Sequence, residues 1–178
     1  MRRDAIPYFS QLAPEPDFYS RTGCGMACTQ MLLAALGRPV PPLRELWERC
    51  AAYGGYRPDG RRGLHYAGWV EFAARELGLR GRVAAPLPLD ELVHAVAGDE
   101  VVIASVHRLI RDPAPAVARG GHLVLVLDAA DGRLCFHNPS GYTPETQRFV
   151  WMDAARFETF YAERGIVVEL PRSAAAAA

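Results

Sequence analysis

The residues best suited to covalent chemistry in this 178-residue chain gather at a few places, and the first is Cys24. It stands between Gly23 and Gly25 and opens the run CGMACTQMLLAAL, which reads as a helix. Unpaired backbone N–H groups and the positive end of the helix dipole favour a thiolate there, so a lowered thiol pKa is expected. The flanking glycines would let a substrate backbone approach closely. A buried helix-start cysteine, with glycines present for packing, is the competing reading. Cys28 lies one turn further on the same face and reads as packing rather than as a nucleophile.

A thiolate needs a base, and five histidines are available: His65, His94, His107, His122 and His137. His65 and His94 fall in amphipathic helical segments, where a surface or core-edge role is the default. His122 opens the strongly apolar segment HLVLVLD directly after Gly120 and Gly121, where a polar residue has no packing rationale. A position at the mouth of a strand suits a residue that faces a cleft. Asn138, the single asparagine of the chain, ends the next apolar segment in HNPSG and can hold an imidazole in one tautomer. Asn before Pro is also an ordinary turn former. His137 beside it points the opposite way along a strand.

The elements that must position these residues follow from periodicity. Cys24 to Leu36 is apolar nearly all round, so this helix belongs in the middle of the domain, and Gly37 stops it. LRELWERCAAY, LHYAGWVEFAARELGL and PLDELVHAVA are amphipathic helices, with Tyr53 to Gly63 as a loop between the first two. Val101–Val106, His122–Asp128 and Arg133–His137 are strands, the last two joined by a turn at Asp131-Gly132. Between the first two, RLIRDPAPAVARGG is long enough for a lid. A helix over Met152–Tyr161 and a strand GIVVEL complete the pattern. Helices first and strands afterwards predict an α+β domain: a helical N-terminal part around a buried central helix, then a mainly antiparallel sheet.

Composition excludes several classes. With 20 basic and 20 acidic side chains and no net charge, the chain lacks the field needed to grip nucleic acid by its phosphates. All the basic residues are Arg, which excludes Schiff-base lysine chemistry and a Walker-type lysine. No run approaches the roughly 20 apolar residues of a membrane helix, and no apolar segment follows MRRDAIPYFSQ as a secretory signal requires. A cytoplasmic protein with free thiols at Cys24, Cys28, Cys50 and Cys135 is expected. Only Cys24 and Cys28 are close together, and no second Cys or His pair completes a zinc set, so neither metal nor cofactor is expected.

Cys, His and Asn in that chain order, with the nucleophile on a helix start and the others on adjacent strands, is the arrangement of papain-like enzymes. IPYFSQ, GCGMACTQMLLAALG and GGHLVLVLDAADGRLCFHNPSG resemble, more narrowly, the bacteriocin-processing peptidases that cut after a double-glycine leader, in a stand-alone form. The resemblance covers Ile6 to about Gly141. It implies a papain-like fold, with residues 1–171 as one catalytic domain and 172–178 as a low-complexity tail. It further implies Cys24 as nucleophile, His122 as general base, Asn138 as the orienting residue and Gln11 as side-chain donor of the oxyanion hole. Gln11 stands 13 positions before Cys24, further than the family's usual gap, so the segment between them must loop out. Asn138 stands where the family more often has Asp. Gln30, the other glutamine near the nucleophile, is rotated by roughly 240° from Cys24 along the helix.

The function these residues imply is a cysteine peptidase acting on a peptide or other acyl substrate through an acyl-enzyme, with leader removal as one form of it. The same triad also fits an acyltransferase or peptide cyclase, in which an amine replaces water. A non-catalytic binding domain of the same fold is the third reading. Oligomeric state is not legible.

Overall fold

The computed structural model describes residues 5–12, 17–60, 63–112 and 118–170. Asp17 accepts a hydrogen bond from the Ser20 N–H at 2.7 Å and caps a short helix α1 (Phe18–Thr22). After Gly23 alone comes the central helix α2 (Cys24–Ala35), 9 of whose 12 residues are buried, as a helix without a polar face requires. Its two polar residues are satisfied within the fold. Thr29 Oγ1 donates to the Gly25 carbonyl and accepts from Trp69 Nε1, each at 2.8 Å, while Gln30 Nε2 donates to the Pro41 carbonyl at 2.9 Å. Helix α3 (Leu43–Ala52) buries Leu46, Trp47 and Cys50, and α4 (Tyr66–Glu76) buries Trp69, Phe72 and Ala73. A Cβ at Gly68 would stand 2.4 Å from the Gly55 nitrogen, so glycine lets α4 seat against the preceding loop.

The rest of the chain builds a six-stranded sheet: β1 (Gly81–Ala84), α5 (Leu89–Ala97), β2 (Glu100–Val106), a 3-10 turn (Arg108–Arg111), β3 (His122–Ala130), β4 (Arg133–His137), α6 (Pro144–Gln147), β5 (Val150–Asp153), α7 (Ala154–Phe160) and β6 (Tyr161–Glu169). The spatial order is β1-β6-β2-β3-β4-β5, and every neighbouring pair is antiparallel. Asp131 and Gly132, at φ of 51° and 72°, make the tight β3–β4 turn expected of Asp-Gly.

Both faces of the sheet are covered, which explains why its strands read as unbroken apolar runs. Val101, Ile103, Leu123, Leu125, Leu127, Ile166 and Val168 pack with α2, α3 and α4. The alternate residues Val102, Ala104, Val106, Val124, Val126 and Val167 pack with α5 and α7. Helices α5 and α7 lie between strands in the chain, so the expected segregation of helices before strands holds only for α1 to α4. GRVA pairs with β6 as an edge strand, VWMD pairs with β4 so that the helix expected from Met152 begins at Ala154, and the short helices α1 and α6 were not expected. Residues 113–117 of the expected lid, and the tail 172–178, lie outside the described residues. Among the described residues no helix is long and apolar enough to cross a membrane.

Candidate active site

Cys24 is the first residue of α2, which no side chain caps; the first N–H to bond back within the helix is that of Ala27, to Gly23 at 2.9 Å. The thiol is therefore set beside N–H groups free of intrahelical partners. It is half-buried, whereas Cys28, Cys50 and Cys135 are buried. Burial raises the Cys24 thiol pKa above its usual value, against smaller lowering contributions from the backbone groups of Leu123, Gly25 and Cys24 itself. The expected lowering by the helix start is thus overturned: desolvation outweighs the local dipole. Cys24, Leu123 and His122 line the same cleft.

His122 opens β3 after Gly120 and Gly121, whose φ values of 79° and 90° are open to glycine at little cost. Its Nε2 lies 2.8 Å from Asn138 Oδ1. The Leu125–His137 register accounts for this pairing. β4 ends at His137, and the turn after it carries Asn138 and Ser140 to His122 at the start of β3. Asn138 Oδ1 also accepts from the Ser140 N–H at 3.1 Å and from Ser140 Oγ at 3.2 Å. The Ser140 N–H can only donate, so the atom it meets is the carbonyl oxygen, an acceptor; His122 therefore carries its proton on Nε2 and keeps the Nδ1 lone pair. Burial pushes the His122 pKa down to about 4, with Arg111 and His107 adding to the effect and the Asn138 bond opposing it. The imidazole is neutral at neutral pH.

Ser140 was not singled out in the sequence. Its hydroxyl lies 3.1 Å from His122 Nε2, and Arg111 Nη1 donates to its carbonyl at 2.8 Å. The signal was present in Asn-Pro-Ser, because an asparagine that bonds the N–H two residues ahead is the usual Asx turn. The turn role and the orienting geometry of Asn138 are one arrangement. His137 is held structurally, with Nε2 2.9 Å from the Ile6 carbonyl and Nδ1 accepting from the Phe149 N–H at 3.0 Å.

Gln11 stands in the segment that docks along 137–139. Its N–H donates to the Pro139 carbonyl at 3.0 Å, and its Nε2 donates at 2.7 Å to the carbonyl of Ser20, which α1 is too short to satisfy. One Nε2 hydrogen is therefore committed to structure, and the buried Oε1 has no partner among the described residues. The looping-out of the intervening segment is seen in part, as α1. Gln30 is turned away to Pro41.

Cys24, Leu64, His65, Tyr66, Gly121 and His122 line one open cleft of about 800 Å³. Among the described residues no cluster of three or more His, Cys, Asp or Glu could hold a metal ion.

No family model and no curated protein matches the sequence. Solved structures do. The peptidase domain of Streptococcus ComA, a bifunctional ABC transporter of a quorum-sensing pathway, aligns over 90% of this chain and 98% of its own at a TM-score of 0.62 and 19% identity. A C39-like peptidase from Bacillus anthracis aligns over 96% of each chain at 0.63 and 16%. The fold is that of C39-like peptidases. A double-glycine-motif protease of a peptidase-containing transporter, solved with its leader peptide, shares the C39-like fold over 93% of this chain and 94% of its own, at 0.60 and 14%. Among its described residues, this chain's seven α-helices and antiparallel sheet are the α+β architecture the sequence predicts.

Proposed function

We propose that the protein is a cysteine peptidase that breaks a peptide amide bond through an acyl-enzyme on Cys24, with His122 as the base and Asn138 as its orienting partner. The observation that carries this reading is the His122 Nε2–Asn138 Oδ1 bond in a fold whose cleft also holds Cys24. With Nε2 protonated and held by Asn138, Nδ1 takes the Cys24 thiol proton as the C–S bond forms. The resulting imidazolium is steadied by the Asn138 and Ser140 oxygens. The tetrahedral oxyanion is received by the free N–H groups at the start of α2 and by the uncommitted Nε2 hydrogen of Gln11. Collapse breaks the C–N bond, and Nδ1 returns its proton to the leaving amine. Water, deprotonated by the same nitrogen, then frees the acid and restores the thiol. The fold shared with leader-processing enzymes supports removal of a leader peptide as the setting.

The acceptor of the acyl group is tested by incubating the protein with a tryptic peptide library of a bacterial proteome in ¹⁸O-labelled water. The expected products are cleaved peptides with one ¹⁸O in the new carboxyl group, absent with Cys24→Ala. Ligated or cyclic products without label would make the protein a transferase. No Cys24-dependent product of either kind would favour the binding-domain reading.

A further inference from the structure

The cleft has a second polar centre away from the nucleophile. Tyr66, Ser105 and Arg164 also line it; burial raises the Tyr66 hydroxyl pKa, and the nearby Ser105 and Arg164 side chains work against that rise. Arg164 Nη2 and Ser105 Oγ both lie within 3.3 Å of the point where a Cβ on Gly120 would stand, so glycine at the turn into His122 also leaves room for these groups.

An irregularity in the sheet brings Arg164 there. Between Ala104 opposite Gly165 and Val106 opposite Tyr161, β2 advances two residues while β6 advances four. The two extra residues bulge out, with Glu163 at a φ of 48°. The bulge parts two opposite charges: Glu163 turns to Arg119, 3.6 Å away, while Arg164 faces the cleft. Among the described residues no Asp or Glu lines the cleft, and no ion pair engages Arg164. A guanidinium fork with a hydroxyl beside it has the donor pattern that a carboxylate accepts.

We propose that Arg164 and Tyr66, backed by Ser105, form a carboxylate-binding subsite, so that the preferred substrate carries an acidic side chain close to the scissile bond in its acyl portion. The proposal rests on Cys24 being the nucleophile of this cleft. The acyl portion stays attached to Cys24 through both halves of the reaction, so a charge recognised there holds the intermediate as well as the substrate. About 800 Å³ admits a side chain of this size.

Two irreversible probes test it without knowledge of the natural substrate: the chloromethyl ketones of acetyl-Glu-Gly and acetyl-Gln-Gly. Their inactivation rates are each divided by the iodoacetamide rate at Cys24 of the same protein, and the adduct is mapped by mass spectrometry. The Glu probe is expected to react about tenfold faster than the Gln probe, the magnitude of a charge-assisted hydrogen bond. The preference should shrink with added salt and fall to about one in Arg164→Gln, with Arg164→Lys retaining part of it. Equal rates for both probes on Cys24 of the natural protein, or a preference that survives in Arg164→Gln, would overturn the subsite and leave the nucleophile assignment standing. Failure of both probes to modify Cys24 would overturn the two together.

Discussion

At the scale of single residues, burial decides the protonation of the Cys24–His122 pair. The thiol is held above its usual pKa and the imidazole is pushed down to about 4, so at neutral pH both partners are uncharged. The sign is clear for each group: His122 gains its proton only below about pH 4, and Cys24 loses its own only above the ordinary thiol range. Alkylation of Cys24 by iodoacetamide should therefore climb about tenfold per pH unit from pH 6 to pH 9, following the thiolate fraction. A rate already level between pH 5 and pH 8 would mean a preformed thiolate–imidazolium pair and would contradict this. The placement of Cys24, His122 and Asn138 at the ends of elements was legible because each is a polar or reactive residue at an abrupt change of pattern. The direction of the thiol shift was not, since the helix start is visible in the sequence while desolvation depends on residues far along the chain. The tie of Gln11 to Ser20 was hidden for the same reason, because it follows from where α1 stops.

At the scale of elements, α2 is the scaffold that carries Cys24, and its fit depends on the buried Gly25–Thr29–Trp69 chain of hydrogen bonds. Thr29→Val keeps the shape and removes the acceptor, leaving Trp69 Nε1 buried without a partner. The expected cost is about 1–3 kcal/mol, read by urea denaturation. A change under about 0.5 kcal/mol would show that Trp69 finds another partner and that α2 is not anchored through it. Long elements with a sustained apolar run or an amphipathic period, α2, α4, β2 and β3, were read correctly from the sequence. GRVA and VWMD were not, because a four-residue edge strand with no fully buried residue is too short to announce a period. α1 is shorter than any pattern could show, although its Asp17 cap was there to be read.

At the scale of the whole molecule, the sheet brings together residues that stand nearly a hundred positions apart. α2 presses Cys24 against one face at the mouth of β3, and the β3–β4 hairpin returns Asn138 to His122. The α+β class and the antiparallel sheet were legible in the sequence, but the sandwiching of that sheet between two helical layers was not. α5 and α7 reveal their common face only once the strand order is known. The central claim is that this convergence makes Cys24 an acyl-accepting nucleophile dependent on His122. Its most direct test is the intact mass and peptide map of the protein mixed briefly with p-nitrophenyl acetate. The account predicts one acetyl group on Cys24, none in Cys24→Ala, and acylation slowed by about 100-fold or more in a folded His122→Ala protein. Acetylation on another residue, or acylation of Cys24 at the natural rate in folded His122→Ala, would contradict it.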